Sequence, residues 1–209
     1  VAADAGNAQR QRILPVGARA VLADLVGAEA VEVAATGGPA HRIDDVRGGQ
    51  LAAEYLLGKG HRHIAFIGDK ESHDFELHPA GMRLKGFQQA MKNAKVSVPN
   101  EYIRLFENTQ EHAMQATREL LSLPKPPTAI FAAADIQALS ALKVTREMGI
   151  KVPEQLAVVG FDDIDSAEFM DLTTVRQHLD ESGKLAVEIL LAHIADPSRP
   201  PQHVNIPLN

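Results

Sequence analysis

The chain alternates short apolar runs with longer stretches whose apolar residues recur every three or four positions. Ile64–Ile67, Tyr102–Phe106, Thr128–Ala133, Leu156–Phe161 and Thr173–Val175 are the short runs. Thr128–Ala133 and Leu156–Phe161 are nearly continuous in apolar residues, which suits strands covered on both faces of a parallel sheet. The helical stretches lie between them. One carries Leu51, Ala52, Tyr55 and Leu56 and stops at Gly58 and Gly60; the next spans Gly81–Asn93 with Leu84, Phe87 and Met91 on one face. A third covers Gln110–Leu123 and ends before Pro124. The fourth places Ile136, Leu139, Ala141, Leu142 and Val144 on one stripe and ends at Gly149. From residue 43 onward this is helix then strand, four times over, with Thr173–Val175 following: a doubly wound α/β lobe. Before it the pattern predicts a weak strand at Ile13–Val16, a helix at Ala18–Leu25 and a strand at Val31–Ala34. After Gln177 it predicts an amphipathic helix over Leu179–Ile194, broken by Pro197, Pro200 and Pro201, and a last strand at His203–Leu208.

With 209 residues and 45% hydrophobic content, the chain can bury a substantial core. No apolar run reaches the roughly 18 to 20 residues of a membrane span, and no charged-then-apolar leader is present. The chain has no cysteine, which removes disulfides and thiolate chemistry and fits a cytoplasmic protein. A net charge of -6 and a pI near 5.8 argue against this segment as a nucleic-acid surface, so any DNA contact has to come from another part. Without Trp, and with seven Phe and two Tyr, a ligand pocket has few aromatic platforms.

Candidate chemistry gathers at strand ends. Two strands finish in Ala134-Asp135 and Asp162-Asp163, and in an open parallel sheet ligands bind outside the carboxyl ends of the strands. Either acid alone also reads as a cap of the following turn; the pair favours a site. Arg83 lies in the first turn of its expected helix, where a cation is electrostatically disfavoured. An anionic or hydroxyl-bearing ligand, or a carboxylate such as Asp162, explains it; a solvated surface Arg is the plainer reading. Asp45 is placed to cap the helix that begins there. Gly48 and Gly49 fall in that helix at a cost of about 0.5 to 1 kcal/mol each relative to Ala. Close packing of helix on strand accounts for them better than a phosphate cradle, since no Gly-rich phosphate loop accompanies them. His61 and His63 lack metal-ligand spacing, so no metal is expected. His178 and His193 read as helix-surface or interface residues. No GxSxG, HExxH or Walker pattern and no Cys nucleophile occurs, no cofactor signature is present, and the strand-end acids have no Ser or His partner at catalytic spacing. Carboxylates with an Arg and no nucleophile suit a polyol: each Asp accepts hydroxyl hydrogen bonds and the guanidinium fork donates to adjacent oxygens. The chemistry favours binding over catalysis, and the chain is expected not to be an enzyme.

The residues Asp44-Asp45-Val-Arg-Gly-Gly-Gln-Leu-Ala-Ala-Glu-Tyr-Leu, Gly60-His-Arg-His-Ile-Ala-Phe-Ile-Gly68, Arg83-Leu-Lys-Gly-Phe87, Pro127-Thr-Ala-Ile-Phe131, Val152-Pro-Glu, Val158-Val-Gly-Phe-Asp-Asp-Ile164 and Leu172-Thr-Thr-Val-Arg-Gln177 stand in one order. In that order they resemble the effector-binding domain of LacI/GalR-type transcriptional repressors, over roughly residues 43 to 208. The resemblance implies a periplasmic-binding-protein-like fold, α/β, with two doubly wound parallel-sheet lobes of which the N-terminal one is incomplete here. Residues 1–43 and 177–203 would form the partial N-terminal lobe, and 44–176 with 204–209 the C-terminal lobe. It further implies a small polar effector of sugar type in the interlobe cleft, a homodimer, and operator DNA bound through a helix-turn-helix headpiece not present in this chain. Arg83 matches the family's effector-contacting arginine and Asp162 its effector-binding aspartate. Gln177 falls where the chain returns to the N-terminal lobe, and Asp135 stands at the end of the middle strand. Three departures are visible. Ala134 replaces the usual Asn before Asp135, Ala35 stands where many members place Asp, and the segment after Asp163 is short and lacks Pro-Pro before Leu172. The chain reads as incomplete relative to a full repressor. A sugar-binding protein of a transport system shares the implied fold and is the alternative reading; it needs a secretory leader.

Overall fold

The computed structural model describes residues 40–70, 78–107, 109–196, 203–205 and 207–209; the expected elements between Ile13 and Ala34 lie outside these. The described elements are β1 (Ala40–Arg42), α1 (Asp45–Gly58), β2 (Ile64–Asp69), α2 (Pro79–Asn93), β3 (Ile103–Phe106), α3 (Gln110–Leu121), β4 (Ala129–Ala132), α4 (Asp135–Glu147), β5 (Ala157–Asp162), α5 (Asp165–Phe169), β6 (Thr173–Arg176), α6 (Leu179–Ala195) and β7 (His203–Asn205). Two compact units result, Val1–Arg42 with Gly183–Val204 and Ile43–Ser182 with Asn205–Asn209. In the first, the described part is the body of α6 and a two-stranded sheet of β1 with β7.

The second unit is built on a five-stranded sheet in the order β3-β2-β4-β5-β6, every pairing parallel. Its strands are buried on both faces because both faces are covered. Ile64, Phe66, Ala129, Phe131, Val159 and Phe161 face α1 and α2, while Ala65, Ile67, Ile130, Ala132 and Val158 face α3, α4 and α5. The β2–β4 register sets Phe66 beside Phe131, and their rings meet edge to face at 5.4 Å with Phe87 of α2 closing the cluster at 5.9 and 6.2 Å. The strand order reverses between β2 and β4. In an open parallel sheet that switch point opens a crevice at the carboxyl edge.

Small residues set how closely α1 and α2 approach. A Cβ on Gly49 would overlap the backbone carbonyl of Arg83, and one on Gly86 would overlap that of Val46, so the two helices touch backbone to backbone. A Cβ on Gly48 would strike the Phe161 ring of β5. The expected helix-on-strand packing thus applies to Gly48, whereas Gly49 serves helix-on-helix packing.

Several local expectations change. Asp44, not Asp45, caps α1, accepting from the Arg47 backbone N–H at 2.8 Å, and Asp45 turns inward to 6% exposure. The second helix begins at Pro79, with His78 as its cap, so Arg83 is its fifth residue and lies in the second turn. A 3-10 turn over Asn100–Tyr102 takes the first residue of the strand expected at Tyr102–Phe106, and the short helix α5 has no counterpart in the sequence pattern. The last strand is only His203–Asn205. The chain end returns to the sheet, where Asn209 O accepts from Arg176 N at 2.7 Å.

Gly49→Ala is expected to lower unfolding stability by about 1 to 3 kcal/mol through overpacking against a backbone that cannot yield. Gly58→Ala, where a Cβ meets nothing within 4 Å, should raise it by about 0.5 to 1 kcal/mol. Urea unfolding of the two variants beside the unaltered chain checks both signs.

Candidate functional site

The carboxyl edge of the sheet collects polar residues from six elements. Arg83 reaches it from α2 and is 8% exposed. Its Nε donates to Asp45 Oδ1 at 2.7 Å, its Nη1 donates to the Ala133 carbonyl at the end of β4 at 2.6 Å, and Nη1 lies 3.6 Å from Asp162 Oδ1. The guanidinium plane also covers the Phe161 ring, 3.6 Å from its centroid. A buried cation is stable only when paired and hydrogen-bonded, and stacking on an aromatic face adds to that. Nη2, with two donors, has no hydrogen-bond partner among the described residues.

Asp162 ends β5 next to this cation. Its Oδ1 accepts from Gln177 Nε2, so Arg83, Asp162 and Gln177 form one contiguous group. Both Asp162 and Asp163 have positive φ, 128° and 61°; the second lies in the left-handed region that Asp tolerates, and the first is a conformation that L residues rarely adopt. The chain turns sharply there and Asp163 reaches Arg176 at 3.5 Å. Such backbone strain concentrates at binding sites, where the surroundings hold it in place.

Asp135 plays a different part. It is 0% exposed, and both carboxylate oxygens are used: Oδ1 accepts from Thr174 Oγ1 at 2.6 Å and Oδ2 from Ile164 N at 3.0 Å. Gly160 makes room for it, since a Cβ there would overlap Oδ1. Asp135 thereby ties the turn after β5 and the strand β6 to the start of α4. Neither it nor Asp162 acts as a helix cap; Ala134 and Ile164 hold those positions without side-chain bonds.

The sequence marks Asp45 only as a helix cap and gives no sign of Phe161, Asp69 or Gln137 as site residues. Asp69 ends β2 and accepts from Gln137 Nε2 at 3.1 Å, with exposures of 7% and 2%. The only sequence signal for Asp45 is the tandem Asp44-Asp45, in which one acid more than a cap requires is present. Away from this edge, His61 contacts Thr128 Oγ1 at 3.0 Å and His63 packs edge-on to Tyr102. His178 meets Asn209 Oδ1 at 2.7 Å. Among the described residues no group of three His, Cys, Asp or Glu is arranged to hold a metal.

Electrostatically, one guanidinium faces the carboxylates of Asp45 and Asp162, and the carboxylate of Asp135 acts on Asp162. Burial pushes the Asp162 carboxyl up to about 6; Arg83 opposes this, Asp135 adds to it and Gln177 opposes it. Burial likewise raises Asp45 against the pull of Arg83. An excess of carboxylates over cations disfavours an anionic ligand. It suits a neutral molecule that donates hydroxyl hydrogens to Asp162 and offers oxygens to Arg83.

Residues 53–209 match the family described as periplasmic binding protein-like domain. The chain belongs to this family. Its relatives are LacI-family regulators. It is similar to the ribose operon repressor of Escherichia coli (strain K12), 36% identical over 161 residues, which cover 76% of this chain and 48% of that protein. The chain thus spans about half the length of such relatives. A LacI-type putative transcriptional regulator from Bacillus cereus subsp. cytotoxis NVH 391-98 superposes with a TM-score of 0.75 and 31% identity, covering 82% of this chain and 60% of that one. A LacI family transcriptional regulator from Enterococcus faecium with bound ribose has a TM-score of 0.72 and 29% identity, with 82% and 62% covered. None of these three is a transport protein. No helix among the described residues is long and apolar enough to cross a membrane.

The raised Asp162 pKa gives a pH test. A folded-state value above the ordinary 3.8 means that the fold holds this proton more tightly than the unfolded chain does. Its contribution is therefore complete below about pH 4 and lost as pH rises through about 6. Asp162→Asn removes this loss, so the drop in unfolding free energy between pH 4 and pH 7 should shrink by on the order of 2 kcal/mol. Parallel pH profiles for the two proteins would contradict the assignment.

Proposed function

We propose that this chain is the ligand-sensing part of a LacI-type transcriptional repressor and that it binds a small neutral sugar at the carboxyl edge of the five-stranded sheet. The observation that carries this reading is the convergence of Arg83, Asp162 and Gln177 there, with Arg83 held by Asp45 and Ala133 and its Nη2 without a hydrogen-bond partner among the described residues. Asp162 accepts from a ligand hydroxyl and Arg83 Nη2 donates to a ligand oxygen. Gln177 orients Asp162, and Asp135 fixes the turn that presents it. None of these groups forms a nucleophile and base pair, so the site binds without turning its ligand over.

In the same reading the whole protein is a cytoplasmic homodimer that meets operator DNA through a headpiece outside this chain. The sugar acts by differential affinity for two conformations, and so changes DNA affinity by a coupling free energy that is reciprocal between the two sites. The bound ribose of the Enterococcus faecium relative makes D-ribose the first ligand to try.

D-ribose at about 100 times its dissociation constant should add about 2.7 kcal/mol to the stability of the full-length protein, read as a rise in Tm. Arg83→Ala should abolish that rise. A ligand-induced rise that survives Arg83→Ala, or none for the unaltered protein across pentoses and hexoses, would overturn the proposal.

A further inference from the structure

A second polar group sits at the switch point between β2 and β4, apart from the Arg83 cluster. Gln137, the third residue of α4, is 2% exposed and donates through Nε2 to Asp69 Oδ1 at 3.1 Å. Asp69 Oδ2 lies 3.6 Å from His78 Nε2. His78 caps α2 by accepting from Ala80 N at Nδ1, so in the neutral ring the proton is on Nε2, the nitrogen facing Asp69. Donors therefore approach both oxygens of the Asp69 carboxylate. A carboxylate offers only acceptors, so the amide of Gln137 must turn its NH2 half toward Asp69 and its oxygen away. That oxygen, Gln137 Oε1, is buried without a hydrogen-bond partner among the described residues. An orphaned buried acceptor gives up its hydration without a replacement bond, and a Leu or Met on the same helix face would avoid that. Departures of this kind from a well-satisfied interior are expected where function requires them. The surroundings agree: Asp69 ends β2, Gln137 follows β4, and the strand order reverses between these two strands.

We infer that Gln137 is a specificity-determining residue whose Oε1, aimed by Asp69, accepts a hydrogen bond from one hydroxyl or N–H donor of the bound ligand. This rests on the ligand site proposed above and adds a rule about the ligand. A sugar with a donor at the position next to β2 and β4 is taken, and its deoxy analogue at that position is rejected, because the acceptor is then left unpaired in the complex. Asp69 is a positioning residue that acts through the orientation of the Gln137 amide.

The test is calorimetric titration of the full-length protein with D-ribose and with its monodeoxy analogues. In the unaltered protein one analogue should bind at least about 10-fold more weakly than D-ribose because of this contact. Gln137→Met, close in volume, should weaken D-ribose to the level of that analogue and make the two bind alike, leaving the penalties of the other analogues in place. Asp69→Asn, which can donate to Gln137 Oε1 and let the amide turn, should also narrow the gap for that one analogue; it carries the test if Gln137→Met does not fold. A purely structural Gln137 gives the contrary result: Gln137→Met lowers the Tm of the ligand-free protein and keeps every analogue ratio unchanged. That result overturns the inference while leaving the Arg83 site intact. If the unaltered protein binds no pentose and no hexose, the underlying site and this inference fall together.

Discussion

The buried guanidinium of Arg83 is the constraint around which this unit is assembled. It bonds to Asp45 of α1, to the main chain at the end of β4 and to the edge of β5 through Asp162, and it lies on Phe161. The contact with Asp45 needs the α1–α2 approach that Gly49 and Gly86 permit, and Gly48 leaves space for the Phe161 ring on which the cation lies. Truncating one partner of a buried pair costs several kcal/mol because the other charge is left uncompensated. The site and the fold are therefore coupled: the contacts that position Arg83 for a ligand also join helices to sheet. Among the described residues its Nη2 has no hydrogen-bond partner, and carboxylates outnumber cations around the guanidinium, which biases recognition toward neutral ligands.

The strained end of β5 supplies the other half. Two consecutive residues with positive φ carry the chain away from the sheet just where Asp162 has to face Arg83, and the fully buried Asp135 anchors that turn from α4 while Thr174 ties in β6. The division of labour between the two acids follows from burial. Asp135 spends both oxygens on the protein, whereas Asp162 keeps part of its surface open and its pKa raised.

Much of this was legible in the chain itself. The strands of the large unit were visible because burial on both faces forces continuous apolar runs, and the helices because a one-sided stripe has a 3.6-residue period. Arg83, Asp162 and Gln177 were identified and do lie together. The one-residue slip at Asp44-Asp45 could not be resolved locally: either acid suits the start of α1, and the choice is made by Arg83, 38 residues away. The helix α5 and the strand β1 are too short, at five and three residues, to show a period. Gln137 reads as a polar break in an apolar stripe. Only the fold brings Asp69, 68 residues earlier, against it and reveals that the position is interior.

Hydrogen–deuterium exchange of the full-length protein, with and without saturating D-ribose, shows directly whether a ligand is held at the carboxyl edge of the five-stranded sheet. Binding there slows exchange only in the amides around Gly68–Asp69, the first turns of α2 and α4, and the turn from Phe161 to Ile164. Protection at the amino edge instead, around His61–His63 and Thr128, would contradict it.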